Sequence, residues 1–322
     1  MRAFRLSASN ATPALVVCDP PTPKADEILV RIGACGLNFA DLLMVKGEYQ
    51  DTPELPFTLG MEVAGTIEAL GADVTDFAIG DRVAVFGGQG GLAEFGTFPA
   101  DRAVKLPETM PFTDAAAFQI AYGTSHVALD HKAQLQAGET LLVLGAAGGV
   151  GLTAVEIGKL MGATVIACAR GADKLEVAKA AGADHLIDAK TEDIREACRA
   201  LGGVDVVYDP VGGDQFKAAF RACKPEARLL AIGFASGDVP QIPANHLLVK
   251  NLSVLGLYWG GYLAFKPQVI TDSLAQLLAW YEAGKLTPHI SHTLPLDEAA
   301  QGLELLRSRK STGKVVITLD QD

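Results

Sequence analysis

The stretch LLVLGAAGGVGLTAVEIGKLMGATVIACAR, Leu141 to Arg170, reads as strand, turn, helix and strand in succession. Leu141 to Leu144 form an unbroken apolar run, the pattern of a strand buried on both faces of a parallel sheet. A turn carrying Gly145, Gly148, Gly149 and Gly151 follows. Beyond it Leu152, Val155, Ile157, Leu160 and Met161 recur at helical spacing, Gly162 closes the helix, and Thr164 to Ala167 give a second apolar strand. A crossover of this kind needs roughly thirty residues to return to its own sheet, and this stretch supplies them.

The glycines let a phosphate approach the backbone N–H groups of the turn, those of Gly148, Gly149, Val150 and Gly151 among them. The helix N-terminus adds partial positive charge at the same place. The spacing is G-x-x-G-x-x-G rather than G-x-G-x-x-G. Glycine also closes ordinary strand-to-helix turns, so the weight comes from strand, glycines, helix and second strand arriving in order. After the second strand the chain runs Cys168-Ala169-Arg170-Gly171, with no carboxylate before Asp173, and Lys174 follows. An acidic residue here reads the ribose of NAD, whereas basic residues meet the extra phosphate of NADP. Arg170 and Lys174 therefore favour NADPH; the plainer alternative is two solvated residues at the start of a helix.

A chain of 322 residues with 49% hydrophobic and 20% charged residues is a globular protein of two ordinary domains. Its net charge of −11 argues against a general nucleic-acid binder or a protein held on anionic membranes. The five cysteines (18, 35, 168, 198 and 223) are scattered without a C-x-x-C pair, which fits a reducing compartment. Neither a secretory leader nor a run of roughly 20 apolar residues is found, so the expectation is a cytoplasmic protein without membrane spans.

Upstream of residue 120 the chain reads as short strands, ILVRI (28–32), VAGTIEA (63–69) and RVAVF (82–86), in a β-rich barrel or sandwich. Residues 113–131 look helical, with a break near Gly123. From 138 the rhythm is strand and helix in alternation: strands at 185–188, 204–209, 228–233 and 251–258, helices at 174–181, 191–200 and 214–222. That is one doubly wound sheet with helices on both faces. Helices at 267–283 and 297–308 follow. The last strand, KVVITL (314–319), has no partner nearby in sequence, which suggests that it rejoins the first domain.

With these pieces in place the chain resembles the zinc-free quinone oxidoreductase branch of the medium-chain dehydrogenase/reductase superfamily. The likeness rests on ACGLNFADLLMVKGEY (34–49), LPFTLGMEVAG (55–65), AYGT (121–124), GAAGGVG (145–151), DPVGG (209–213), GFASG (233–237), PANHLLVKNLSVLGLYWG (243–260) and STGKVVI (311–317). It implies a GroES-like β-barrel domain built from 1–122 and 266–322, a Rossmann NADPH-binding domain at 123–265, an active site between them, and a homodimer. In zinc-dependent relatives C-G-x-C-H and G-H-E segments carry metal ligands; here they read Cys35-Gly36-Leu37-Asn38 and Gly60-Met61-Glu62. An amide and a thioether make no zinc site.

Without a metal, simple ketones lack a Lewis acid, and conjugated acceptors, quinones or α,β-unsaturated carbonyls, are the easier substrates. The resemblance implies Asn38 near the nicotinamide ribose and the substrate. It implies Tyr49 as a proton donor or a rim aromatic that packs substrate. Thr124, Gly233 and Phe234 match segments along the nicotinamide half, and Glu62 a structural glutamate. Arg309 and Lys314 are expected at phosphates or, equally, as surface charges. Tyr258 and Trp259 line the substrate cleft or a dimer interface. The alternatives are an enoyl-thioester or 2-alkenal reductase and, from another class, a non-catalytic NADPH-binding protein.

Overall fold

The computed structural model describes residues 1–9 and 11–319, which form two compact units, 121–287 and the pair of segments before 121 and from 288 to 319. The contiguous unit is built on a six-stranded, all-parallel sheet. Its strands lie in the order His185–Asp188, Thr164–Ala169, Thr140–Leu144, Val204–Asp209, Cys223–Ala231 and Ser253–Gly256. Thr140–Leu144 and Val204–Asp209 are neighbours at the centre, where the strand order reverses. This is the doubly wound arrangement expected from the sequence, and its switch point is where such sheets take ligands. Leu142, Leu144, Ile166, Val207 and Leu229 from the sheet pack with Phe216 and Phe220 of the helix Gly213–Ala222 in a buried core. Burial of Thr140–Leu144 and Thr164–Ala169 explains their unbroken apolar runs.

The other unit is β-rich. One of its sheets runs in the order Ile290–Pro295, Lys314–Thr318, Glu27–Leu37, Glu62–Leu70, Arg82–Phe86 and Ala103–Lys105, with Phe95–Pro99 also paired to Glu27–Leu37. The terminal strand does return: Val315 stands opposite Leu37 and Ile317 opposite Cys35 in an antiparallel ladder. Glu27–Leu37 serves three partners because it is long: Phe95–Pro99 pairs with Glu27 to Arg31, Lys314–Thr318 with Ala34 to Leu37, and Glu62–Leu70 along most of its length, in a ladder broken by register shifts after Leu29 and after Ile32. Shifts of that kind bend a strand and re-aim its edges. A smaller sheet joins Ala14–Val17, Arg2–Leu6 and Phe57–Thr58.

Two expectations are corrected. The return to the β-rich unit begins at 288, not at 266. The helix Pro267–Glu282 stays with the parallel sheet's unit, burying Ile270, Leu274 and Leu277 and packing on the π-helical turn Val127–Lys132. The break expected near Gly123 falls instead at 117–118, between the helices Phe112–Ala116 and Gln119–His126. Gly123 is a packing glycine: a Cβ there would lie 2.8 Å from the indole nitrogen of Trp259, which is itself buried. His126, the last residue of the helix Gln119–His126, is buried, with Nδ1 2.9 Å from Ser273 Oγ; burial lowers its pKa.

Candidate active site

At the switch point of the parallel sheet, Thr140–Leu144 ends in Gly145, held at φ +59°, a left-handed conformation that side chains disfavour. Gly148 N–H donates back to Gly145 O (2.9 Å), and Ala146 N–H ties the turn to Cys168 O (3.0 Å) on the next strand. Gly148 then opens the helix Gly149–Leu160. Gly151 is required by contact, since a Cβ there would fall 2.2 Å from Gly145 O. Gly148 is exposed and Gly149 and Val150 are half-buried. The first turn of any helix leaves N–H groups without intrahelical acceptors, so this end is an accessible anion cradle.

Two further segments close on it. In the DPVGG loop the buried Asp209 carboxylate accepts N–H bonds from Val211 (2.7 Å) and Gly212 (2.9 Å) through one oxygen, Oδ1; burial raises its pKa, against those two bonds. Val211 in turn lies 3.0 Å from where a Cβ on Gly145 would be. The segment containing Gly233 and Phe234 rests on that loop through Ala235 N–H to Pro210 O (3.1 Å) and Ser236 N–H to Val211 O (2.9 Å). Phe234 keeps 42% of its surface exposed. Thr124 is buried on the helix Gln119–His126, whose Ser125 hydroxyl donates to Val150 O (2.9 Å). The structure thus brings the glycine turn, Gly233, Phe234 and Thr124 together within one unit.

Arg170, exposed, and Lys174 stand at the end of Thr164–Ala169 and on the helix Ala172–Ala180. A third basic residue joins them that sequence reading missed. Asp188 Oδ1 accepts the N–H groups of Gly171 (3.0 Å) and Lys190 (2.9 Å), and these bonds hold the Asp188 carboxyl below its usual pKa. The clasp brings Lys190 Nζ to 3.4 Å from the position of a Gly171 Cβ. The signal was local, a lysine two residues beyond the third strand's last carboxylate. Ala189 packs on the apolar core and offers no aromatic surface.

In the β-rich unit, Asn38 precedes the helix Phe39–Lys46 and its N–H donates to Asp41 Oδ2 (2.8 Å). Asp41 is fully buried, also accepts Gly60 N–H (3.2 Å), and desolvation pushes its carboxyl up to about 6. The Asn38 side chain meets a buried ion pair. Lys314 Nζ donates to Glu62 Oε1 and to Asn38 Oδ1 (2.8 Å). Asn38 Nδ2 donates to Glu62 Oε1 (2.9 Å) and Gly36 O (3.2 Å), while Glu62 Oε2 accepts Ile120 N–H (2.9 Å). Lys314 is 5% exposed and Glu62 1%.

The expectation that Lys314 reaches cofactor phosphates is corrected by this placement, because its ammonium is spent inside the unit. Arg309 is exposed, at φ +56° just past the helix Ala299–Arg307. Tyr49 is half-buried in the turn after Phe39–Lys46. These residues do not fit a divalent metal. Asn38 and Met61 are neutral, and a metal ion beside them would face the Lys314 ammonium. Among the described residues no group of three or more His, Cys, Asp or Glu is placed to hold a metal, and no helix is long and apolar enough to cross a membrane.

Comparison with known proteins finds matches in both units. Residues 24–108 match the family model described as alcohol dehydrogenase GroES-like domain, and 149–280 the one described as zinc-binding dehydrogenase. A quinone oxidoreductase-like protein 2 homolog from Nematostella vectensis is 42% identical over 301 residues, covering 92% of this chain and 82% of that protein. The quinone oxidoreductase of Thermus thermophilus, solved alone and with NADPH, superposes with a TM-score of 0.87 at 33% identity over 99% of this chain and 100% of its own. The Escherichia coli quinone oxidoreductase complexed with NADPH gives 0.90 at 29% identity, over 98% and 99%.

Proposed function

This chain belongs to the medium-chain dehydrogenase/reductase superfamily, and on that premise we propose that it is a metal-independent, NADPH-dependent reductase of quinones or other conjugated carbonyl acceptors. The observation that carries the reading is the open glycine turn at Gly145–Gly151, set at the sheet's switch point beside the basic group of Arg170, Lys174 and Lys190. NADPH, when bound, supplies a hydride. The turn and the N-terminus of Gly149–Leu160 hold its pyrophosphate through backbone N–H groups. Arg170 and Lys174 pair with the 2′-phosphate, the first as a fork and the second as a point charge. Thr124, Gly233 and Phe234 shape the nicotinamide end, and Arg309 meets a phosphate.

A conjugated acceptor gathers negative charge on its carbonyl oxygen as hydride adds at its far end, so the protein needs to align the acceptor and supply a proton. Tyr49 is the proton donor in this reading, since a phenol donates while neutral at pH 7. Asn38 contacts the nicotinamide side of the reaction. The Lys314 ammonium in the Asn38–Glu62 cluster supports the metal-independent assignment. The second-copy contact of a homodimer falls on the sheet edge Ser253–Gly256 and the helix Ala244–Lys250 beside it, where Leu248 is 77% and Val249 71% exposed.

The test is oxidation of NADPH, with chelator present, against 1,4-benzoquinone, 9,10-phenanthrenequinone, a 2-alkenal and crotonyl-CoA. Quinone turnover indifferent to chelator is the expected result. Turnover of the alkenal or thioester alone moves the enzyme to the enoyl reductases. Silence across the panel with NADPH still bound makes the chain a binder.

A further inference from the structure

The helix Pro267–Glu282 buries Ile270, Leu274 and Leu277, while its stripe Asp272, Ser273, Gln276 and Trp280 lines a cavity of about 400 Å³. Spacings of one, three and four residues put that stripe on one side of the helix. Across the cavity stand His126 and the π-helical turn Val127–Lys132, a turn type that is rare and gathers at functional sites. Met161, at the end of the helix Gly149–Leu160, also lines it. The glycine turn is at that helix's other terminus, about 18 Å away at 1.5 Å per residue. The cavity therefore lies within residues 121–287 and apart from the anion cradle.

Its buried polar pair is His126, 7% exposed, and Ser273, 5% exposed. Nδ1 of His126 is 2.9 Å from Ser273 Oγ, and the serine hydroxyl has no other partner among the described residues. The serine therefore donates and Nδ1 accepts, which puts the hydrogen of the neutral imidazole on Nε2. Burial favours that neutral ring by lowering its pKa. Nε2 has no protein partner among the described residues and opens on the cavity as a donor. Around it the charge is negative. Asp130 and Asp272 line the cavity, both exposed, and among the described residues no lysine or arginine does. Asp272 uses Oδ1 on Gln268 Nε2 (2.6 Å), which leaves Oδ2. The C-terminus of Gly149–Leu160 adds partial negative charge at Met161. No group among the described residues is placed to hold a metal ion, so the cation that fits is organic.

We propose that this cavity is a separate binding site for an organic amine with an aromatic body and one hydrogen-bond acceptor. The ammonium pairs with Asp130 and Asp272, and the oxygen accepts from His126 Nε2–H. The body packs on Val127, Met161 and the Trp280 ring, which meets the His126 ring at 82° with centroids 5.3 Å apart. Ser273 is a positioning residue that sets the histidine's tautomer. The site does not depend on the reductase reading, since it shares no residue with the glycine turn or its basic group.

The test is calorimetric titration of the full chain with three probes. Tyramine carries ammonium and phenol, 2-(4-hydroxyphenyl)ethanol replaces the ammonium by a hydroxyl, and phenethylamine lacks the phenol. Tyramine is expected to saturate one site per chain with a Kd of about 1 mM or below, the range for a ligand of its size. The alcohol is expected about tenfold weaker, having lost a charge-assisted bond, and phenethylamine about fivefold weaker, having lost a neutral one. Asp130→Asn and Asp272→Asn, both at exposed positions, are expected to weaken tyramine about fivefold each and the alcohol less than about twofold. His126→Phe is expected to bring tyramine down to the affinity of phenethylamine and leave phenethylamine unchanged. Should that variant fail to melt cooperatively, the two aspartate variants carry the decision. NADPH affinity is expected to be unchanged in all of them. No saturable binding of tyramine, equal affinities for tyramine and the alcohol, or tyramine affinity unchanged in both aspartate variants overturns the inference. A chain that binds tyramine as expected and fails to bind NADPH overturns the proposed function and leaves this site standing.

Discussion

Tyr49 and Asp41 carry the two predictions that belong to single residues. If the Tyr49 phenol protonates the product oxygen, Tyr49→Phe slows enone reduction by about a hundredfold, the low end for a general acid, and leaves quinone reduction within threefold. Stopped-flow rates on one enone and one quinone decide this; equal rates for wild type and variant on the enone reduce Tyr49 to packing. Asp41 is held neutral-prone by burial, its carboxyl pushed up to about 6 from a usual 3.8. Between those values the folded chain binds more protons at this site than the unfolded chain, so this contribution to stability falls as pH rises through the window. Wild type measured against Asp41→Asn is therefore expected to gain a few kcal/mol as pH drops from 6.5 to 4. Urea titrations of both proteins across that range read the difference; a flat or opposite trend refutes it.

The glycine turn separates structural from ligand-binding demands within one element. A Cβ on Gly151 meets Gly145 O at 2.2 Å, backbone against backbone, whereas on Gly148 the only neighbour within 4 Å is Gly145 O at 3.3 Å. Gly148 has φ −80°, which alanine adopts freely. Gly151→Ala is expected to lower the melting temperature by several degrees, as overpacking does. Gly148→Ala is expected to melt within two degrees of wild type yet bind NADPH at least tenfold more weakly, because the methyl group stands where phosphate approaches. Calorimetry with NADPH titration separates the two effects, and unchanged binding by Gly148→Ala would falsify the cradle. The helix Phe39–Lys46 was legible and went unread. Asn38 with Asp41 three residues on, and Gly47 closing the helix at φ +70°, form a start and stop signal in the sequence.

At the scale of the whole chain, the two units differ in how they are assembled. The parallel-sheet unit is one continuous segment with its own core, so residues 121–287 expressed alone are expected to fold and to bind adenosine 2′,5′-bisphosphate within tenfold of the full chain. Residues 1–120 alone lack Lys314–Thr318, which lies inside the larger sheet between Ile290–Pro295 and Glu27–Leu37. That fragment is expected to give no cooperative melt, since it exposes a buried strand edge and leaves Glu62 without Lys314. Light scattering tests the dimer: wild type is expected at twice the chain mass, and Leu248→Asp with Val249→Asp at once. A monomeric wild type rules it out.

By itself the sequence determined the doubly wound sheet, its glycine turn, the basic residues after its second strand and the return of the last strand. Each is written in local signals: apolar runs, glycines at fixed offsets, a strand with no neighbour to pair. Only the tertiary structure decided what happens at Asn38. Lys314 stands 276 residues from Asn38 and 252 from Glu62, and no periodicity links positions so far apart. In sequence alone, Lys314 after STG fits a phosphate contact and a surface charge equally; the antiparallel ladder of Lys314–Thr318 on Glu27–Leu37 carries it into the interior instead. The boundary at 288 was hidden for the same reason. An amphipathic helix shows which face it buries but not against which unit, and packing on Val127–Lys132 assigned Pro267–Glu282 to the parallel sheet.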